Sequence, residues 1–212
     1  TDRTRAIIPV HLAGHPCELG PLRALAQRRG IALIEDAAHA LGASWEGERI
    51  GSGPDPACFS FYSIKNITTM EGGMITTNDD GLAERLRRLR DHGAAMSDLQ
   101  RHLGSRPYLL ADHPDAGYNQ RMTDLQGALG AAQMARAEDI IAERRRLAGI
   151  YDAAFGDLPW LKTPAHIDGL EHGYQSYACL FQPEPVVPEA IQHINQTRND
   201  WMDRLQQVGI ST

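Results

Sequence analysis

The spacing of apolar residues changes period several times along the chain, and each change marks an element. Residues 6–12, Ala-Ile-Ile-Pro-Val-His-Leu, form a short apolar run that Gly14-His15-Pro16 breaks, which predicts a strand. From Glu18 to Arg29 the apolar positions recur at helical spacing and stop at Gly30, a residue suited to a left-handed helix end. Ile31 to Ile34 is unbroken apolar sequence, the mark of a strand buried on both faces, and it ends in the acidic pair Glu35-Asp36. Strand, helix and strand in this order make a βαβ unit with parallel, right-handed pairing. Ligands of such sheets gather at the carboxyl ends of the strands, where Asp36 falls. Residues 57–62 and 73–77 read as two further strands, and Gly81 to His92 as an amphipathic, Arg-rich helix.

Periodicity then fades. Residues 94–120 hold Gly104, Pro107, Pro114 and Gly117 and predict an irregular excursion. Thr123 reads as a helix cap, and a helical pattern, first rich in Ala and Leu and later charged, runs from Asp124 to about Phe155, with Pro159 closing it. Ser176 to Phe181 is β-like, Pro183, Pro185 and Pro188 interrupt, and Asn199 to Val208 predicts a last helix stopping at Gly209. This organisation suggests part of a large domain over residues 1–122, a long linking helix over 123–158 and part of a small α+β domain over 159–212.

Composition narrows the classes. A hydrophobic content of 42% and a net charge of −6, with both signs interspersed, describe a soluble globular chain with no basic stripe for nucleic acid. No apolar stretch approaches the roughly 18 residues of a membrane helix, and Thr1-Asp2-Arg3-Thr4-Arg5 is no signal peptide, so a cytoplasmic location is the default. Cys17, Cys58 and Cys179 are scattered, which argues for reduced thiols rather than a disulfide framework. His11, His15 and Cys17 form a local cluster, but no second ligand pair with zinc-site spacing accompanies it, and the expectation is no metal.

Candidate chemistry centres on a lysine. Only two lysines occur, Lys65 and Lys162, and Lys65 follows the apolar run Phe59-Ser60-Phe61-Tyr62 and precedes the flexible Glu71-Gly72-Gly73. A lysine after a strand, presented in a cleft and partly desolvated, can form a Schiff base with a carbonyl. Pyridoxal phosphate (PLP) requires an amine, a carboxylate to keep its ring nitrogen protonated and donors for its phosphate, and Lys65, Asp36 and Ser60 are candidates for the three. Taken alone, Asp36 reads more readily as a helix cap or turn carboxylate, and only Lys65 in register with it favours the cofactor role.

Three ordered segments resemble the DegT/DnrJ/StrS family of sugar aminotransferases. They are Ile34-Glu35-Asp36-Ala37-Ala38-His39-Ala40-Leu41-Gly42; Phe59-Ser60-Phe61 with Lys65-Asn66-Ile67-Thr68-Thr69 and Glu71-Gly72-Gly73; and Gly117-Tyr118-Asn119-Gln120-Arg121-Met122-Thr123-Asp124. The resemblance implies an α/β, fold-type-I transferase with a mostly parallel central sheet. It implies Lys65 as the Schiff-base lysine and proton shuttle, Asp36 at the pyridine nitrogen, His39 near the cofactor ring and Ser60 at the phosphate. Asn119 resembles a residue that reaches the phosphate in a neighbouring subunit, with Arg121 nearby, so the expectation is a homodimer with shared active sites.

The implied reaction moves an amino group from glutamate or glutamine to a keto sugar, either a nucleotide-linked deoxysugar or a cyclitol. Family members of this kind are nearly twice as long, so both ends look cut. The family's front phosphate loop, the side chain that stacks on the ring and its later substrate contacts are expected outside this chain. Relatives that dehydrate sugars carry His at the lysine position, and Lys65 argues against that branch. Two other readings stand beside the aminotransferase. One is a non-catalytic relative that keeps the fold; the other is a lyase of the cysteine-desulfurase kind, which requires a cysteine in a mobile loop.

Overall fold

The computed structural model describes residues 1–96, 98–104, 108, 110 and 112–211. Its first half is built on a four-segment sheet. Strand β1 (Ala6–Ile7) pairs in parallel with β2 (Ala32–Leu33), and β3 (Glu35–Asp36) continues that second line of chain. The two lines stay bonded past the named strands, since the Asp36 amide donates to the Pro9 carbonyl and the His11 amide to the Asp36 carbonyl. Helix α1 (Leu19–Arg29) provides the crossover and ends at Gly30 in the left-handed conformation, as its sequence predicts. On the other side β3 pairs in parallel with a later strand at Ala57–Ser60, and that strand pairs antiparallel with Gly73–Thr76.

Between β3 and Ala57 lies a hairpin, β4 (Ser44–Trp45) and β5 (Glu48–Arg49); the strands Ala57–Ser60 and Gly73–Thr76 are therefore β6 and β7. The core sits where α1 meets the turn after β3: Leu19, Ala37, Ala40, Ala43, Ile50 and Ala57 bury one another, with Cys17, Trp45 and Phe59 packed against them. The expectation that residues 31–34 are buried on both faces is corrected. Leu33 is buried, but Ala32 is exposed and Ile31 and Ile34 are half-buried, because α1 covers one face only.

Alternation along β3 sends its two carboxylates to opposite faces. Glu35 is buried at 1% exposure and meets His11 Nε2 and Arg23 Nη2, each at 3.2 Å. Arg23 also binds Glu48 and Asp55, so one guanidinium ties α1 to β3, β5 and the loop before β6. A carboxylate taken out of water needs such partners.

Helix α2 (Asp80–Leu89) starts at Asp79, whose side chain accepts the Leu82 amide, and a short helix α3 (Asp98–Leu103) follows. This corrects a wholly irregular excursion over 94–120; within it Ser97, 105–107, Leu109 and Ala111 lie outside the described residues. The predicted continuous helix from Asp124 is two helices, α4 (Asp124–Met134) and α5 (Ala137–Phe155). The break is at Arg136, whose backbone leaves the helical region (φ −114°, ψ 8°), while Glu138 and Asp139 start the new helix at its positive end. Thr123 and Gln126 form a full capping box at the start of α4, as expected of Thr123.

After α5 come β8 (Leu161–Lys162), β9 (Leu170–Glu171) and β10 (Leu180–Phe181), with β8 paired to β10 and β9 to β4. The β-like run over 176–181 is thus a strand only at its end. Helix α6 (Ile191–Gln207) begins eight residues before the predicted Asn199. Its apolar stripe, Ile191, Ile194, Trp201 and Leu205, already starts at Ile191.

Candidate active site

The carboxyl ends of β3 and β6 and the turn after β6 border one narrow cleft, too tight to admit a water molecule. Its walls are Ala37, Ala38, His39, Leu41, Phe59, Ser60, Lys65, Asn66, Ile67 and Gln175. Three of the five candidate site residues meet here, since His39, Ser60 and Lys65 line it; Asp36 ends β3 just before the lining Ala37. Parallel pairing explains the convergence, because adjacent parallel strands end on the same edge and release their following turns side by side.

Each side chain is held by its backbone surroundings. One Asp36 oxygen accepts the Ala38 amide at 3.1 Å, which fixes the carboxylate at the strand end. The His39 Nδ1 accepts the Ala13 amide at 3.0 Å, leaving Nε2 as the protonated nitrogen. Burial and then the Lys65 charge push the His39 pKa below its ordinary value, with Asp36 opposing, so the ring stays neutral and its Nε2–H is a donor. Ser60 closes β6, and its hydroxyl oxygen accepts the Tyr62 amide at 3.3 Å. Lys65 sits in a turn stapled by its own amide to the Tyr62 carbonyl at 3.0 Å.

That turn is held from below by α4: the Gln133 side chain accepts the Thr68 amide at 2.7 Å, and the Gln126 side chain donates to the Glu71 carbonyl at 2.9 Å. The late segment 172–176 closes the cleft from above. The Gly173 amide donates to the Gly14 carbonyl, Asn66 Nδ2 donates to the Gly173 carbonyl, and Gln175 Nε2 donates to the Ile64 carbonyl. Sequence reading missed Gln175 altogether, since it stands 111 residues from its partner Ile64. Asn66 was visible beside Lys65 but carried no sign of its burial.

Asn119 lies elsewhere. It is exposed, pairs with Asp91 after α2 and does not line the cleft of its own chain; Arg121, beside it, binds Asp91. The His11, His15 and Cys17 cluster is structural: His11 Nδ1 accepts the Cys17 amide, its Nε2 meets Glu35, and no group able to hold a metal occurs among the described residues. Burial and then nearby carboxylates, Asp36 and Asp152 respectively, push the Cys58 and Cys179 thiols up, which suits neither to nucleophilic work. A larger cleft of about 500 Å³, lined by Arg145, Asp152, His166, Glu171, His172 and Tyr174 among others, contains none of the candidate residues.

The donor set fits PLP. One cleft holds an amine, a hydroxyl and an imidazole N–H, with a carboxylate at its strand edge, and a buried amide oxygen there, Asn66 Oδ1, lacks a partner. Comparison with known proteins agrees. A model of the DegT/DnrJ/EryC1/StrS aminotransferase family matches residues 1–211. The chain is 41% identical over 179 residues to the spore coat polysaccharide biosynthesis protein SpsC of Bacillus subtilis, covering 84% of this chain and 45% of that protein.

Among solved structures, Helicobacter pylori PseC, an aminotransferase of pseudoaminic acid biosynthesis, superposes with a TM-score of 0.83 at 27% identity, over 98% of this chain and 51% of that one. The PMP form of a Streptococcus pneumoniae protein described as a candidate sugar aminotransferase superposes with a TM-score of 0.85 at 26% identity, over 100% of this chain and 55% of that one. The chain spans about half the length of the curated relatives it matches, 53% and 45% of the first two. Matched by the family model from its first residue to its last but one, the chain belongs to the DegT/DnrJ/EryC1/StrS aminotransferase family.

Proposed function

We propose that this chain supplies the cofactor-holding part of a PLP-dependent, fold-type-I aminotransferase that passes an amino group from glutamate or glutamine to a keto sugar. The observation that carries this reading is the convergence of Lys65, Ser60 and His39 in one cleft at the strand ends, with Asp36 at its edge. PLP, when bound, supplies a protonated aromatic ring that withdraws electrons from the carbon losing its proton.

The chain's own residues do the rest. Lys65 would hold the cofactor through its amine and, when that amine is free, would carry a proton to and from the substrate carbon. Asp36 keeps a proton at the pyridine nitrogen by opposite-charge pairing. Ser60 donates its hydroxyl hydrogen to the phosphate, since its oxygen already accepts the Tyr62 amide. The neutral His39 donates its Nε2–H beside the ring.

The same reading assigns Asn119, exposed and outside its own cleft, to the cofactor phosphate of a second subunit in a homodimer. Exposed Ile64 and Met70 on the lysine turn, and Met74 and Ile75 on β7, offer apolar surface for that partner. A sugar acceptor is favoured by the relatives, whose descriptions name polysaccharide biosynthesis and a sugar aminotransferase.

The test is an absorbance spectrum of the chain with added PLP, followed by borohydride reduction and mass mapping. A reduced adduct on Lys65, absent from Lys65→Ala at unchanged near-UV circular dichroism, supports the assignment. An adduct spread over Lys162 and the N-terminal amine, or none, removes Lys65 from the chemistry. Glutamate-dependent amination of keto sugars then tests the acceptor class.

A further inference from the structure

Asn66 follows Lys65 and is buried, with 7% of its surface exposed. Its amide nitrogen donates to two carbonyls, Gly173 at 2.8 Å and Leu41 at 3.4 Å. Those acceptors fix the orientation of the amide. Reversed, it would set its oxygen against two carbonyl oxygens and leave its N–H groups without an acceptor. The oxygen is therefore Oδ1 as placed, fully buried and without a partner. A buried acceptor left unpaired carries a desolvation penalty, so its presence points to a donor that arrives.

The donors lining the same cleft are few. Gln175 Nε2 is engaged with Ile64, the Ser60 hydroxyl hydrogen points from an oxygen held by the Tyr62 amide, and His39 offers one N–H. Lys65 has three donor hydrogens and no acceptor capacity as an ammonium, and its side chain makes no hydrogen bond or ion pair among the described residues. An acceptor without a donor and a donor without an acceptor thus share one wall.

We propose that Asn66 is a positioning residue for Lys65: its Oδ1 accepts a hydrogen bond from the Lys65 amine whenever that amine is not covalently engaged. The proposal rests on Lys65 being the reactive amine. The clamp onto Gly173 makes the arrangement specific, because Asn66 can hold the amine in register with segment 172–176 only while its own nitrogen is fixed there. Between two half-reactions a free lysine on a turn would otherwise sample solvent. Tethered to Oδ1, it stays within the cleft that both residues line.

Competitive acylation tests this without the cofactor. The chain contains just two lysines, and Lys162, exposed on β8, is a built-in reference for Lys65. Limiting acetic anhydride at pH 7, with mass mapping, gives the Lys65 to Lys162 labelling ratio for the unaltered chain, Asn66→Ala and Asn66→Asp. Only the unprotonated amine attacks the anhydride, and an acceptor beside the ammonium favours its protonated form, so Asn66→Ala raises the ratio by about threefold to tenfold. Asn66→Asp lowers it, because a carboxylate in the same place pairs with the ammonium.

Equal ratios in all three chains, or a rise in both variants as from a loosened turn, overturn the proposal. Asn66→Ser, which keeps a hydroxyl donor for Gly173, replaces any variant whose circular dichroism shows it unfolded. Failure of PLP capture at Lys65 with the acylation ratios as expected would sink the reaction assigned above and leave the Asn66 contact standing. Capture with unchanged ratios would do the reverse.

Discussion

Arg23 stands on α1 and is a quarter exposed, yet it satisfies one oxygen of the buried Glu35 as well as Glu48 and Asp55. Removing one partner of a buried charge costs more than the pair contributes, since the other charge stays behind in a poorly polar setting. Arg23→Met is expected to destabilise the chain by about 3 kcal/mol in urea titration, with His11 retaining part of the stabilisation; a change within ~0.5 kcal/mol would mean that water reaches Glu35. A second buried group makes stability depend on pH. His172 Nδ1 accepts the Tyr174 amide, and burial followed by the charges of His15, Arg145 and His166 lowers its pKa to about 4 from 6.5. The folded chain keeps His172 neutral while the unfolded chain takes up a proton below pH 6.5. This contribution is therefore whole above pH 6.5, falls as pH drops towards 4 and levels below it, an effect of about 3 kcal/mol at most. His172→Asn, which can still accept the Tyr174 amide, should show a flatter stability profile between those limits by urea titration at several pH values. The placement of Asp36 at a strand end and of Lys65 in the turn after a strand was legible in the sequence, because strand ends and post-strand turns are predictable. Arg23, His172 and Gln175 were not, because their roles depend on partners far along the chain.

The start of helix α4 was recognised from its cap and periodicity, but its purpose appears only in contact with the lysine turn. Gln126, Gly130 and Gln133 lie on one face, spaced four and three residues apart, and the two glutamines bond the turn at Glu71 and Thr68. Gly130 permits the approach: a Cβ there would stand 2.8 Å from the Thr69 methyl, and Thr69 is itself buried. Gly127, one turn earlier, has nothing within 4 Å of such an atom. The two glycines should therefore respond in opposite directions. Gly127→Ala is expected to be neutral or to stabilise by up to about 1 kcal/mol, the ordinary gain of Ala over Gly in an exposed helix. Gly130→Val should force the turn off α4 and reduce borohydride-trapped PLP at Lys65 several-fold while the far-UV spectrum is kept. Equal adduct yields from the two variants would show that the turn does not depend on α4. The break between α4 and α5 at Arg136 was illegible for a different reason: no Gly or Pro marks it, and helix propensity favours continuation through Ala135 and Ala137.

Across the whole molecule, four stretches remote in sequence meet beside the cleft: residues 13–14, 39–41, 64–66 and 173–176. The early turn contributes backbone alone, with the Gly14 carbonyl accepting the Gly173 amide and the Ala13 carbonyl the Ser176 amide. Arg144 on α5 donates to the Tyr174 and Gln175 carbonyls, and β9 extends the β4–β5 hairpin, so the part of the chain after residue 159 is fastened to the part that holds Lys65. Local patterning predicts strands and helices, but the contact between residues 14 and 173 is set by backbone proximity and leaves only glycine as its trace in the sequence. Gly14 has φ +96°, and a Cβ on it would come within 2.9 Å of the His39 carbonyl and the Tyr174 amide. Both atoms are backbone, so neither can swing aside. Gly14→Ala should therefore combine left-handed strain with a steric clash and cost about 2–4 kcal/mol in urea titration. Its signature distinguishes this junction from a local turn: hydrogen exchange should accelerate together at 64–66 and 173–176, and at neither if Gly14 strains only its own loop. Gly30→Ala is the control, since Gly30 is also left-handed but has nothing within 4 Å of an added Cβ. It should lose only about 1 kcal/mol and leave exchange around Lys65 unchanged.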